Sequence, residues 1–306
     1  MTQLSDSLRR ILESGKGDDL DIGALIEGRY RGYVDRAKQK LVDLFTRRVA
    51  EVFYERQLQL SLEDEFFHWV TSKALQELVS ERRIGTFLSK MEVDADTAGP
   101  TLADQHSGGA NVRFYFSLKH RYWKRQATKI LKLIREYSDP ELTKAYGWQA
   151  ELMFDAALPK RGFLPVAENA NEYRGKRWEG SGHNLDRIFE RDGIGYGVEI
   201  KNTLRYIDPA ELNMKLDMCR FLGLKPLFIA RMMPKIYIWE VIKRGGFCLI
   251  FKKQLYPFHL APFAARLRDE LGLPIESPAA IEIGRIDNLS RWHEGELKKQ
   301  FTKDGD

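Results

Sequence analysis

The chain has 306 residues, 43% of them hydrophobic, enough to bury a sizeable core and to suggest about two domains. Lys and Arg number 49 against 44 Asp and Glu, an excess of +5 that permits a polyanionic partner without demanding one. No apolar run approaches membrane-spanning length, Met1-Thr2-Gln3-Leu4-Ser5-Asp6 lacks the basic start of a signal peptide, and no Gly-rich phosphate loop of the P-loop type occurs, so the expectation is a cytoplasmic protein that neither spans a membrane nor performs ATP-driven work.

Residues 1–137 read as a mostly helical module. Tyr33 to Tyr54 has long amphipathic character, and Leu62 to Glu81 runs without Gly or Pro. Ile84-Gly85-Thr86-Phe87-Leu88 predicts a strand, and Val112-Arg113-Phe114-Tyr115-Phe116 its partner, with a mobile loop expected over Asp94 to Ala110. Helices followed by a hairpin with a long loop match a winged helix, in which Thr71, Ser72 and Lys73 would belong to a recognition helix and Arg113 to the wing; the other reading is a plain helical domain with one hairpin.

From Asn111 to Arg135 there are eight basic residues (Arg113, Lys119, Arg121, Lys124, Arg125, Lys129, Lys132 and Arg135) and no acidic ones, with Phe114, Tyr115, Phe116, Tyr122 and Trp123 interleaved. Basic side chains neutralise phosphates and aromatics stack on unpaired bases, so this stretch is the candidate nucleic-acid surface. The alternative is an amphipathic helix whose Ala127, Ile130, Leu131 and Ile134 face a core while the basic residues form a solvated face.

Residues 138–258 alternate helices and strands. A helix around 140–157 leads to a strand, Phe163-Leu164-Pro165-Val166-Ala167, and then to a polar loop with a second basic cluster, Arg174, Lys176 and Arg177 beside Trp178. A hairpin follows, turning at Asp192-Gly193, because Gly accepts positive φ at little cost. Asp208-Pro209 opens a helix through Leu222, with Gly223 as its C′ residue; Pro226–Ala230 and Phe247–Phe251 predict two more strands. This element order points to an α/β sheet.

The hairpin carries chemistry. Asp186 stands on its first strand, and Glu199 and Lys201, two apart on the second, project to one face. Two carboxylates and an ammonium suit phosphodiester hydrolysis: carboxylate-bound Mg²⁺ acidifies water and polarises the phosphate, and the lysine orients the water or stabilises developing charge. Taken alone, Glu199-Ile200-Lys201 also reads as a surface salt-bridge pattern.

The pattern Asp186 … Glu199-x-Lys201 resembles the PD-(D/E)xK nuclease superfamily, and the series α-β-β-β-α-β over residues 139 to 258 resembles its restriction-endonuclease-like core. The resemblance implies a metal-dependent nuclease acting on nucleic acid, DNA favoured over RNA, in a restriction, defence or repair setting. Mg²⁺, or Mn²⁺ in its place, would be held by Asp186, Glu199 and the carbonyl of Ile200, and Lys201 would assist the water. Glu151, on the preceding helix, would complete the shell, with Glu168 and Glu179 as alternatives. A homodimer would suit duplex cleavage, and a partner protein would suit a defence or repair effector. Leu185 stands where relatives often carry Pro, and Asn213 and Lys215 occupy the region of a common Gln, so neither takes a role by analogy. The rival reading is a non-catalytic nucleic-acid-binding or interaction protein on the same fold.

His183 reads as a loop histidine or as a phosphate contact. Cys219 and Cys248 show no metal-ligand spacing and are expected as buried thiols. Residues 259–306 form a C-terminal extension with one helix, Ala261 to Leu271, and a charged end frayed from Lys298 to Asp306.

Overall fold

The computed structural model describes residues 19–91, 104–106 and 109–303, with side chains over 30–90 and 111–296. It is a mixed α/β protein. The chain divides into two compact units, Met1–Lys90 with Asn111–Leu131, and Met91–Ala110 with Lys132–Asp306. The loop expected over Asp94 to Ala110 lies largely outside the described residues.

In the first unit α1 (Asp19–Arg47) buries Val34, Ala37, Leu41 and Phe45, spaced three or four apart on one stripe. The long amphipathic segment expected to reach Tyr54 instead ends at Arg47, and Val52-Phe53-Tyr54 forms a buried strand, β1, because one β-branched and two aromatic residues fit a covered sheet better than a helix end. The run from Leu62 to Glu81 is also broken. Helix α2 (Glu55–Ser61) stops before Glu63, Asp64 and Glu65, whose charges disfavour a helix C-terminus, and α3 (His68–Ser80) begins after the buried Phe66. Then come β2 (Gly85–Met91) and β4 (Gly109–Phe116), with β3 (Asp104–His106), from the stretch grouped with the second unit, between them in the chain. β4 lies between β1 and β2 and is antiparallel to β1, with Phe53 opposite Tyr115. Phe114, Tyr115 and Phe116 are all buried, and Trp123, the first residue of α4 (Trp123–Tyr137), stacks on Phe116 at 4.3 Å. Four of the five aromatics interleaved with the basic run are therefore held by packing, and Tyr122 is the exposed one.

The second unit is built on a five-stranded sheet. Helix α5 (Pro140–Ala157) precedes β5 (Leu164–Ala170), the two-stranded ribbon β6 (Glu172–Tyr173) and β7 (Lys176–Arg177), and the hairpin of β8 (Leu185–Arg191) and β9 (Ile194–Lys201). Helix α6 (Pro209–Leu222), β10 (Lys225–Ala230), α7 (Lys235–Lys243) and β11 (Phe247–Ile250) follow. The sheet order is β11-β10-β9-β8-β5, with β9, β10 and β11 parallel and β8 antiparallel to both its neighbours. Beyond the sheet lie β12 (Gln254–Leu255), α8 (Ala261–Leu271), β13 (Ile275–Glu276) and α9 (Ile283–Lys303). The frayed tail expected from Lys298 is helical as far as Lys303, in a second C-terminal helix that buries Ile286 and Leu289 against the sheet.

Local chemistry sets the element ends. Asp139 and Asp208 each cap a helix that has Pro at its first position, accepting from Glu141 N at 2.9 Å and from Ala210 N at 2.8 Å. Asp192 and Gly193 both adopt positive φ, as a two-residue type I′ turn requires.

Strand β9 alternates in a way that places the site. Ile194, Tyr196, Val198 and Ile200 pack with Ala150, Met153 and Phe154 of α5, whereas the opposite face begins with Gly195 and Gly197. A Cβ at Gly195 would lie 2.4 Å from the Tyr173 hydroxyl, and one at Gly197 2.5 Å from Cys219 Sγ of α6. Missing side chains let α6 approach the sheet there. The next residue on that face, Glu199, is thereby buried beneath the helix.

Candidate active site

Glu199 is 1% exposed, and an ammonium meets each of its carboxylate oxygens: Lys201 Nζ lies 2.7 Å from Oε1 and Lys215 Nζ 2.7 Å from Oε2. Lys201 also reaches Glu211 Oε1 at 2.9 Å, and Lys215 donates to the carbonyl oxygen of Asn184. Asp186 approaches from β8. The β8–β9 register runs from Arg191 opposite Ile194 to Arg187 opposite Val198. Just past its end the Asp186 side chain turns into the ladder, where Oδ2 accepts the Ile200 N–H at 2.7 Å.

Glu151 stands on α5 with Oε2 3.0 Å from Arg187 Nη2. Arg187 is 7% exposed, donates to both oxygens of Asp155 and gives a third N–H to the Asp186 carbonyl at 2.8 Å. This guanidinium ties the helix carboxylates to the strand that carries Asp186. Glu168, opposite Arg187 on β5, is exposed and adds to the negative field on it; Glu179 is exposed on its loop.

The electrostatics follow from burial. Desolvation raises the Glu199 and Asp186 carboxyls above their ordinary range; Asp186 adds to the rise of Glu199, while Lys201, the Ile200 N–H and Lys215 restrain that of Asp186. Glu151 is raised by burial as well, opposed by Arg187 and reinforced by Asp155 and Glu199. For Lys201, burial pulls downward, but Glu199, Asp186 and Glu211 together outweigh it, and the ammonium is held above the usual lysine range. Lys201 is therefore a cation at neutral pH.

Five carboxyl groups (Glu151, Asp155, Asp186, Glu199, Glu211) face three cations (Arg187, Lys201, Lys215), so acids outnumber bases at this centre. Hard oxygen donors around a net negative centre fit Mg²⁺ or Mn²⁺. Among the described residues no group of three or more His, Cys, Asp and Glu side chains stands ready to hold a metal ion, since Glu199 is turned to the lysines and Glu151 to Arg187.

The structure brings Asp186, Glu199 and Lys201 together and keeps Glu151 within their field. Sequence reasoning missed Lys215, Arg187, Asp155 and Glu211. Lys215 had left a trace: it is a lone lysine on the stripe Leu212, Leu216, Cys219, where a solvated face would not fall. His183 is exposed, its backbone N–H turned to Ser181 Oγ. Burial pushes the Cys219 and Cys248 thiols up to about 12.

Of the residues expected on nucleic acid, Arg113, Lys119, Arg121, Lys124, Arg125, Lys129, Lys176 and Arg177 have exposed side chains. Arg174 is exposed too, but its guanidinium is engaged by Glu190 at 2.9 Å and lies over the Tyr173 ring. In α3, Lys73 is exposed, whereas Thr71 is 0% exposed and Ser72 is held between Gln59 and Glu55, so neither can serve as a recognition residue. Their places are taken by core contact and by a local polar network.

No family model and no curated protein matches this chain. A solved structure described as "crystal structure of a repair endonuclease from Pyrococcus abyssi" aligns with 48% of this chain and 58% of its own length, at 12% identity and a TM-score of 0.22. The chain thus spans under two thirds of that structure, and a TM-score at this level does not establish a shared fold.

Proposed function

We propose that the protein is a divalent-metal-dependent nuclease that hydrolyses phosphodiester bonds in DNA, with its second unit as a PD-(D/E)xK-like core. The observation that carries this reading is the hairpin that gathers the half-buried Asp186, the buried Glu199 and the ammonium of Lys201 under α6, in a centre where acids outnumber bases. Asp186, Glu199 and the Ile200 carbonyl would hold Mg²⁺, with Mn²⁺ as a substitute and Glu151 completing the shell. The ion would supply an acidified water and a polarised phosphate. Lys201, held as an ammonium by the carboxylates around it, would orient the attacking water or stabilise the charge that develops on the phosphate. Glu211 gives that ammonium a second seat within the same site.

A nucleic-acid role for the first unit is supported by its element order, a helix, the short β1, two helices and then β2 and β4 with β3 between them in the chain, β1 lying against β4, an order compatible with a winged helix. The exposed basic side chains from Arg113 to Lys129, free of interleaved acids, suit a phosphate backbone. A homodimer acting on both strands and a partner in restriction, defence or repair belong to the same reading.

A binding protein on this fold is the second reading, favoured by one observation: the lysines already neutralise Glu199, as in a centre kept for structure alone. Labelled single-stranded, duplex and branched DNA and RNA, incubated with Mg²⁺, Mn²⁺ or chelator, separate the two. Metal-dependent products that vanish in Lys201→Ala are expected and name the substrate class. Salt-sensitive binding without products would support the binding protein.

A further inference from the structure

Lys215 projects from α6 along the stripe that otherwise meets the sheet through Leu212, Leu216 and Cys219, and it is 4% exposed. An ammonium is tolerated under such a helix only where other groups receive it. Two do: Glu199 Oε2 at 2.7 Å, and the carbonyl of Asn184, two residues before Asp186. Lys201 meets the other oxygen of the same carboxylate at the same 2.7 Å, but its circumstances differ. Its side chain is 25% exposed against 5% for Lys215, and its second partner is another carboxylate, Glu211, at 2.9 Å. One lysine is fixed by β8 and β9 together; the other has somewhere to go.

We propose that Lys215 is the positioning residue of the carboxylate pair. It holds Glu199 Oε2 so that only Oε1, the oxygen Lys201 can relinquish for Glu211, is offered to a divalent ion. The inference rests on the metal-dependent reading given above. A carboxylate with one oxygen occupied would offer an ion only the other, beside Asp186, the carboxylate whose electrostatic influence Glu199 feels most. The fixed ammonium also repels the ion, so affinity stays below what two free carboxylates would give. Lys215 thus trades metal affinity for a defined placement, and this separates it from a residue that merely fills space.

The test uses the full chain and Mn²⁺ alone, titrated by calorimetry into wild type, Lys215→Met and Lys215→Arg, followed by turnover at saturating ion. Lys215→Met removes the charge from a side chain of nearly the same length. It is expected to bind Mn²⁺ about tenfold more tightly and to turn over about 10- to 100-fold more slowly, with an unchanged KM for nucleic acid. Lys215→Arg keeps the charge and is expected to show wild-type Mn²⁺ affinity with turnover between the other two. A collapsed site would lose affinity and turnover together, so movement in opposite directions identifies positioning. Unchanged or weaker Mn²⁺ binding by folded Lys215→Met overturns the role of Lys215 and leaves the nuclease reading intact. A wild type that binds no Mn²⁺ overturns the metal reading itself, and this inference with it. Should Lys215→Met not fold, wild-type turnover in Lys215→Arg overturns the proposal.

Discussion

Glu199 and Asp186 stand at the centre of the account because burial penalises their charged forms and nothing about packing requires them to be acids. Their raised carboxyl pKa values mean that the folded state binds protons more tightly than the unfolded chain. The sign follows: the contribution is favourable below the unfolded values and is lost as pH rises through the folded ones. An uncharged isostere at Asp186 removes the penalty and keeps an oxygen for the Ile200 N–H. Asp186→Asn is therefore expected to melt roughly 2–4 °C higher at pH 8, about 1 kcal/mol, with the gain shrinking as pH falls and cleavage abolished; a lower melting temperature at pH 8 would contradict the electrostatic account. The thiols give a second pH readout. With Cys219 and Cys248 pushed up to about 12, both are expected to resist a thiol-specific reagent at pH 8 in the native protein and to react in denaturant. Rapid labelling of the native protein would show that α6 does not seal Cys219 as described.

Among the elements, α6 and the β8–β9 hairpin form one device. Gly197 is needed where Cys219 Sγ and Leu185 Cδ1 crowd the strand, so Gly197→Ala is expected to destabilise by about 1–3 kcal/mol and, by lifting α6, to disturb the Lys215 contact with Glu199. Adding Cys219→Ala should restore part of the loss, as denaturant melts of the single and double variants would show; additive losses would mean that the close approach is not the cause. The hairpin was legible in the sequence because Asp192-Gly193 and alternating polarity are local signals, and the Asp208-Pro209 helix start was legible for the same reason. Glu199 and Lys201 shared a face by strand periodicity alone. What could not be read was tertiary. Val52–Tyr54 pairs as a strand with β4, Tyr115 is buried in the cluster built by α1 and α3, and Phe116 is covered by Trp123 of α4. The partners of Glu151 and Glu199, namely Arg187 and Lys215, arrive from elements whose juxtaposition no spacing encodes.

For the molecule as a whole, the claim is that one unit meets nucleic acid and the other cuts it. The basic side chains of α4 and the preceding turn are exposed and carry no acids among them, so replacing Lys124, Arg125 and Lys129 together by Glu should weaken DNA binding by at least about tenfold at moderate salt and flatten the dependence of affinity on salt. Fluorescence anisotropy over a salt series measures both. Unchanged slopes would return this surface to the role of a solvated helix face.

The central claim is tested most directly by single-turnover cleavage of labelled DNA by wild type and Asp186→Asn, each with Mg²⁺ and with chelator. Products are expected from the wild type with Mg²⁺ and from no other combination. Cleavage that survives chelator, or that persists in folded Asp186→Asn, would contradict the assignment of this carboxylate centre to metal-dependent phosphodiester hydrolysis.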